Sequence, residues 1–352
     1  MQKLNYRNIR SEMKQENWHQ GYLFYGEEKY LINQLIDMII SKFIPAEMQD
    51  IDLIRIKIDS MITSQDLLRI KQELQTPAFL SERKVIIVEN SHLFSTAEKG
   101  KNEEQKKNIA EFEEILSLLN PYCCLVFIEE GIDARKKSLL NNLEKNDLIL
   151  VEIQKEEFNV LLQWIQAQAQ KSNLKITKEA AEALIDRCES SMTEIRQEMY
   201  KAILYAQNAE KSGIDLNMIN FVCRPDINGN IFQLTEAIAR GRAKEALRLL
   251  NILLMNKEPL PLIRFMFNRH IKQLICAKEL QNERDLIKQA KIHPYAAKKL
   301  MQQINSLKMS DLEFLYHQCF LSDWQVKKGL MEDRLSFETL LIKSSLTFAN
   351  RS

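Results

Sequence analysis

Short apolar runs alternate with stretches of helical period over roughly the first 150 residues, and the alternation then stops. Tyr22-Leu23-Phe24-Tyr25 ends at Gly26, the mark of a buried strand. Behind it Leu31, Leu35, Met38 and Ile39 recur at helical spacing. Ile54, Ile56 and Ile58 alternate with charged residues, as a half-buried strand does. Thr63 or Ser64 can cap a helix that carries Leu67, Ile70 and Leu74. Val85-Ile86-Ile87-Val88 reads as a fully buried strand, and Phe112, Ile115, Leu116 and Leu119 mark a helix that Asn120-Pro121 should end. Cys123 to Ile128 and Leu148 to Val151 complete the strands. Strands alternating with helices imply βαβ units and a mainly parallel sheet, which predicts an α/β domain over 1–155.

Beyond about 156 the spacing is helical. Phe158, Leu161, Leu162 and Ile165 share one face; Ile176-Thr177 opens a second helix with Ala181, Leu184 and Cys188; Ile195, Met199, Ile203 and Leu204 continue in a third. This predicts a small helical domain over 156–225. Arg224-Pro225-Asp226-Ile227-Asn228-Gly229-Asn230 carries the clearest linker signal. An all-helical domain over 226–352 follows: Leu234 and Ile238 up to Gly241, then Ala246, Leu247, Leu250 and Leu254. Pro259 and Pro261 then open a helix with Leu262, Phe265, Met266 and Ile271, and the tail carries Leu312, Leu315, Phe320 and Trp324. With 8 Gly and 7 Pro in 352 residues, the chain has too few breakers for an all-β fold.

Hydrophobic residues at 45% and charged residues at 28% exclude a disordered or collagen-like chain. No apolar run approaches the ~18 residues of a membrane span. The start, Met1 to Arg7, lacks the apolar stretch of a signal peptide, so a cytoplasmic location is expected. The six cysteines (123, 124, 188, 223, 276 and 319) and five histidines show no metal-ligand spacing, so no metal and no cofactor is expected and the thiols should be buried. Net charge is +1, split about +7 over 226–352 and about −6 over the rest. A basic end of that size suits nucleic acid, and it equally suits a solvated helical surface.

An α/β domain followed by a small helical one suggests a nucleotide-binding ATPase, whose phosphate loop reads G-x-x-x-x-G-K followed by Ser or Thr. Gly21 and Gly26 have that separation, but Glu27 and Glu28 stand where the Lys and the hydroxyl belong. A carboxylate ~4 Å from a phosphate charge is repelled by about 1 kcal/mol in water, and by several more when partly buried. The metal-binding strand is equally altered. Val85-Ile86-Ile87-Val88-Glu89-Asn90 ends in one acid and an amide, while Leu125-Val126-Phe127-Ile128-Glu129-Glu130 ends in two acids without a phosphate loop to serve. No G-x-S-x-G, C-x-x-C or calcium-loop pattern is present, and no residue is assigned a catalytic role.

Several stretches together resemble the delta subunit of bacterial DNA polymerase III. Tyr22-Leu23-Phe24-Tyr25-Gly26-Glu27-Glu28 before an apolar helix is similar to that family's opening. Pro77-Ala78-Phe79-Leu80-Ser81-Glu82-Arg83-Lys84 before Val85-Ile86-Ile87-Val88 is similar to its second landmark, and Asp133-Ala134-Arg135-Lys136-Lys137 to its D-x-R-x-K stretch. Ile231 to Ile238 and Ala246 to Leu250 resemble its C-terminal domain. The order is kept over nearly the whole chain.

The resemblance implies an AAA+-like α/β domain with a degenerate nucleotide site, a helical lid and a helical collar that joins subunits into a five-membered ring. It implies a clamp-loader subunit that does not hydrolyse ATP and that binds and opens the ring-shaped beta sliding clamp for loading onto primed DNA. The implied partners are that clamp, loader subunits of the tau/gamma and delta-prime types, and primer-template DNA. It places the clamp anchor at Phe79 and Leu80, on an approach stiffened by Pro77. On the residues alone, an apolar pair ahead of a strand can equally cap the domain's own core. Two other readings stand beside this one: a divergent ATPase, and a stand-alone DNA-binding protein using the basic C-terminal third. A delta-prime-type subunit is a third, but its Ser-Arg-Cys finger is absent, because Asp186 precedes Arg187-Cys188.

Overall fold

The computed structural model describes residues 4–96, 102–290, 292 and 294–350; Met1, Gln2 and Lys3 of the chain start, and His293, lie outside them. Two compact units divide the chain, Met1–Glu156 and Glu157–Ser352.

The first unit runs β1 (Leu4–Asn5), α1 (Tyr6–Lys14), β2 (Gly21–Tyr25), α2 (Lys29–Phe43), α3 (Gln49–Asp52), β3 (Leu53–Lys57), α4 (Ser64–Gln75), β4 (Lys84–Glu89), α5 (Asn102–Leu116), β5 (Cys123–Glu129), α6 (Lys137–Lys145) and β6 (Leu148–Glu152). Its six strands lie in the order β1-β6-β2-β5-β4-β3, every neighbouring pair parallel, as the alternation predicts. Tyr22 to Phe24, Val85 to Val88 and Leu125 to Phe127 have no exposed surface. Strands covered on both faces must be apolar at every position, which is why these segments read as unbroken runs. Phe94, Phe112 and Phe127 meet edge to face, with ring centroids 5.3–5.9 Å apart. Thr63, not Ser64, caps α4: its hydroxyl accepts from Asp66 N–H and the Asp66 carboxylate accepts from Thr63 N–H at 2.9 Å.

Two features differ from the expectation. α5 ends at Leu116, short of Asn120-Pro121, because the N–H groups of Ser117, Leu118 and Leu119 turn to carbonyls three residues back and close a tighter turn. The β1–α1 segment is an addition: only Ile9 and Met13 of α1 are buried, too thin an apolar face to announce a helix.

The second unit runs α7 (Phe158–Lys171), β7 (Lys175–Ile176), α8 (Lys178–Arg187), α9 (Met192–Asn208), β8 (Gly213–Ile214), α10 (Leu216–Val222), α11 (Ile227–Ala239), α12 (Ala243–Met255), α13 (Leu260–Leu280), α14 (Glu283–Gln289), α15 (Pro294–Gln303), α16 (Met309–Lys327) and α17 (Asp333–Ala349). Ile176 belongs to a two-residue parallel bridge, β7–β8, and Thr177 caps α8 behind it. Leu204 is 46% exposed; the buried face of α9 passes instead through Ala202 and Ala206.

The expected linker is shorter than the sequence suggests, since Asn228-Gly229-Asn230 lies inside α11. Asp226 caps that helix, accepting from Gly229 N–H at 2.7 Å. A Cβ at Gly229 would stand 2.2 Å from the capping carboxylate, so glycine is there for the cap and not for flexibility. Leu234, Ile238, Leu250, Phe267, Leu312 and Leu315 are buried in one core. Tyr316, Phe320 and Trp324 form a stripe at four-residue spacing on α16 and are 42%, 62% and 44% exposed.

Five of the six free thiols are buried and Cys276 is partly so; burial pushes Cys124, Cys223 and Cys319 up to about 12. Among the described residues, no group of three His, Cys, Asp or Glu side chains could hold a metal ion, and no helix is long and apolar enough to cross a membrane.

Candidate functional site

The β2–α2 turn is where an ATPase of this topology holds phosphate. Gly21 is not part of that turn; it sits inside β2, paired with Leu125 and Leu148, so its spacing from Gly26 has no phosphate-loop meaning. The turn itself is Gly26-Glu27-Glu28. It is stitched to the ends of two neighbouring strands: Gly26 N–H donates to the Glu129 carbonyl at 3.2 Å and Glu28 N–H to the Ile153 carbonyl at 3.4 Å. Gly26 has φ +133°, and a Cβ there would lie 2.1 Å from the Ile153 oxygen, so only glycine fits. Glu27 points to solvent, whereas Glu28 is buried and its carboxylate accepts from Tyr30 N–H at 3.2 Å. The N-terminus of α2 is thus capped by the chain's own anion.

The acids at the strand ends are also engaged. Glu89 pairs with Arg55 across β3 and β4 at 3.6 Å. Glu129 accepts from Ser91 N–H at 2.9 Å, from the Ser91 hydroxyl and from His92 N–H at 3.4 Å; burial pushes its carboxyl up despite those donors. A cavity of about 300 Å³ at these strand ends is lined by Asn90, His92, Thr96, Glu129, Glu130 and Asp133, a mixed polar and acidic surface. The D-x-R-x-K stretch works as a brace. Arg135 grips Asp133 with two bonds of 2.8 Å, Thr96 donates to the same carboxylate, and the Lys136 ammonium reaches the Leu93 carbonyl at 2.8 Å. Arg135 and its bonds hold the Asp133 carboxyl well below the usual range.

The loop between α4 and β4 carries the apolar pair. Phe79 is 66% and Leu80 67% exposed, so neither caps the core. Both flanks of the loop are fastened. Thr76 closes α4 through its N–H and hydroxyl to the Gln72 carbonyl. Glu82 N–H donates to the Phe43 carbonyl, and the Arg83 guanidinium lies over the Phe43 ring and donates to the His19 carbonyl at 3.0 Å. The tip is held by Asp52, the last residue of α3. Its Oδ1 accepts from Phe79 N–H at 2.8 Å, and its Oδ2 from Ser81 N–H at 3.2 Å and Leu80 N–H at 3.4 Å. Burial works against ionisation of Asp52, but hydrogen bonding from Ser81 first, and from Phe79 and Leu80 with it, prevails and lowers its carboxyl.

Lys84, at the start of β4, is buried and paired with Glu73 at 3.1 Å. Tyr122, directly before β5, is 66% exposed, and Ile51, in α3 one residue before Asp52, is 50% exposed, so both lie at the same end of the parallel sheet as the pair. The sequence signals Phe79 and Leu80 but not Asp52, because nothing local links an acid to amides 27 residues onward.

Comparison with known proteins gives one consistent family. The DNA polymerase III, delta subunit, family model matches residues 22–154, and that of the DNA polymerase III delta subunit, C-terminal domain, matches residues 228–344. DNA polymerase III subunit delta of Bacillus subtilis (strain 168) is 23% identical over 342 residues, 96% of each chain. The solved structure of the Bacillus subtilis DNA clamp loader delta protein aligns with 97% of this chain and 99% of its own, at a TM-score of 0.63 and 21% identity. One family model falls in each unit, in the expected order, and the chain belongs to the DNA polymerase III delta subunit family.

Proposed function

We propose that this chain is a clamp-loader subunit that binds the beta sliding clamp and opens it, or traps it open, for loading onto primed DNA in the cytoplasm. The observation that carries this reading is the Phe79–Leu80 pair, two large apolar side chains held out in solvent on a loop fastened at both flanks and at its tip. A central apolar anchor with a weaker rim is how compact interfaces concentrate their affinity, and Ile51 and Tyr122 supply such a rim. No chemistry is needed. A partner that prefers the open ring shifts the opening equilibrium by its differential affinity for the two forms.

The chain acts without hydrolysing ATP. The Glu28 carboxylate takes the Tyr30 amide at the start of α2, Glu28 N–H is spent on the Ile153 carbonyl, and Glu89 and Glu129 are tied to other groups. Control by ATP then belongs to neighbouring subunits of the tau/gamma and delta-prime types. The division read from the sequence supports this arrangement: a clamp-binding domain (1–155), a lid (156–225) and a collar (226–352). The Tyr316, Phe320 and Trp324 stripe gives the collar an apolar face for its neighbours, and primer-template DNA meets the assembled complex.

The test is a pull-down of the full chain with its cognate beta clamp, with no other loader subunit and no nucleotide. A stoichiometric complex is expected. Failure to form one at micromolar concentrations refutes the reading.

A further inference from the structure

We propose that Asp52 is a positioning residue for clamp binding: its buried carboxylate orders the loop that presents Phe79 and Leu80, without touching the clamp. The inference rests on the reading of that loop as the clamp anchor.

A carboxylate with 1% of its residue surface exposed is unfavourable unless donors replace its water. Here the replacements are the amides of three successive residues, Phe79, Leu80 and Ser81. Three consecutive N–H groups converge on one anion only when the backbone wraps around it, which turns the intervening side chains outward. The two side chains so displaced are the 66% and 67% exposed anchor pair. Asp52 ends α3 and directly precedes β3, an edge strand paired with the strand that follows the loop, so the carboxylate ties the tip to a fixed element.

A free loop samples many shapes, and its apparent affinity is divided by the fraction in the competent one. Asp52 raises that fraction. No sequence-local signal places it in the site, since 27 residues separate it from Phe79.

The experiment compares full-length wild type, Asp52→Asn, Phe79→Ala/Leu80→Ala and the combination. Measured are clamp affinity per folded molecule, melting temperature and amide hydrogen exchange at 79–81. Asn keeps one acceptor and sets an NH2 group against donors, so the wrap is lost at similar volume. Expected for Asp52→Asn are roughly tenfold weaker clamp binding and roughly tenfold faster exchange at the three amides, with rates elsewhere in the sheet unchanged. In the Phe79→Ala/Leu80→Ala background the Asn change should cost nothing further, because Asp52 acts only through the pair.

Unchanged affinity in Asp52→Asn beside a weakened Phe79→Ala/Leu80→Ala overturns this inference alone. Undiminished binding by Phe79→Ala/Leu80→Ala overturns the anchor reading and the inference with it. If Asp52→Asn fails to fold, wild-type exchange decides: protected amides at Phe79, Leu80 and Ser81 support the wrap, and exchange at the free-chain rate overturns it.

Discussion

Replacing Phe79 and Leu80 together with Ala should abolish tight clamp binding and leave the fold intact. Burying a whole Leu or Phe side chain is worth ~1.5–3 kcal/mol relative to leaving it in water. About two thirds of each residue is open here, so docking has ~1–2 kcal/mol to gain from each, or ~3 kcal/mol for the pair. At 1.4 kcal/mol per decade, a loss of ~3 kcal/mol lowers affinity more than a hundredfold. The same exposure limits the cost to folding. Surface substitutions stay within ~0.5 kcal/mol, about 2 °C or less in melting temperature for a unit of this size. The assay is clamp affinity by calorimetry or surface plasmon resonance, read beside thermal unfolding of the same samples. A collapsed melting temperature with unchanged binding per folded molecule would refute the reasoning, because the pair would then be core.

Titration calorimetry of the whole chain with magnesium and ATP should show no binding at micromolar concentrations; a micromolar dissociation constant contradicts the account of Gly26-Glu27-Glu28. Gly26→Ala should destabilise by ~3 kcal/mol in urea unfolding, since a positive φ and a 2.1 Å approach to a backbone oxygen cannot both relax. Phe320→Ala with Trp324→Ala should leave the melting temperature within about 2 °C but remove the chain from reconstituted loader complexes on gel filtration. His270 is held down to about 4 by burial, aided by the Arg269 charge and opposed by its bond to Gln303. Between its ordinary pKa of about 6.5 and 4 the unfolded chain takes up a proton that the folded chain refuses. Stability should therefore be full above about pH 6.5 and fall as pH drops towards 4, and His270→Gln should flatten that slope in urea titrations at several pH values.

The central strands were legible because burial on both faces demands an apolar residue at every position, so Val85 to Val88 and Cys123 to Phe127 could hardly be read otherwise. The start of α4 was legible to within one residue, Thr63 or Ser64, because both are good caps, and only the reciprocal bonds with Asp66 decide for Thr63. The features that escaped are those whose cause lies far along the chain or in a single contact. α1 is held by Ile9 and Met13 against the rest of its unit, and its own composition is mostly polar. Gly229 looks like a linker residue until the Asp226 carboxylate is seen where its Cβ would be. The Phe79–Leu80 pair is conspicuous as sequence, yet the Asp52 carboxylate that binds its backbone is not, because a hydrogen bond between residues 52 and 79 leaves no periodic trace.

The Glu28 cap also bears on whether this turn could be reverted. Exchanging Glu27 and Glu28 for Lys and Thr would restore the letters of a phosphate loop without restoring the vessel. The Ile153 carbonyl would still sit against Gly26, and the turn would still be too short to wrap a phosphate. Recovery would need inserted residues and a displaced strand end together, two changes of which neither is useful alone. A turn that carries a covalently attached anion also has no empty state. If calorimetry shows no ATP binding, the turn carries no signal of the cell's ATP level, since its anion is present whenever the turn is folded.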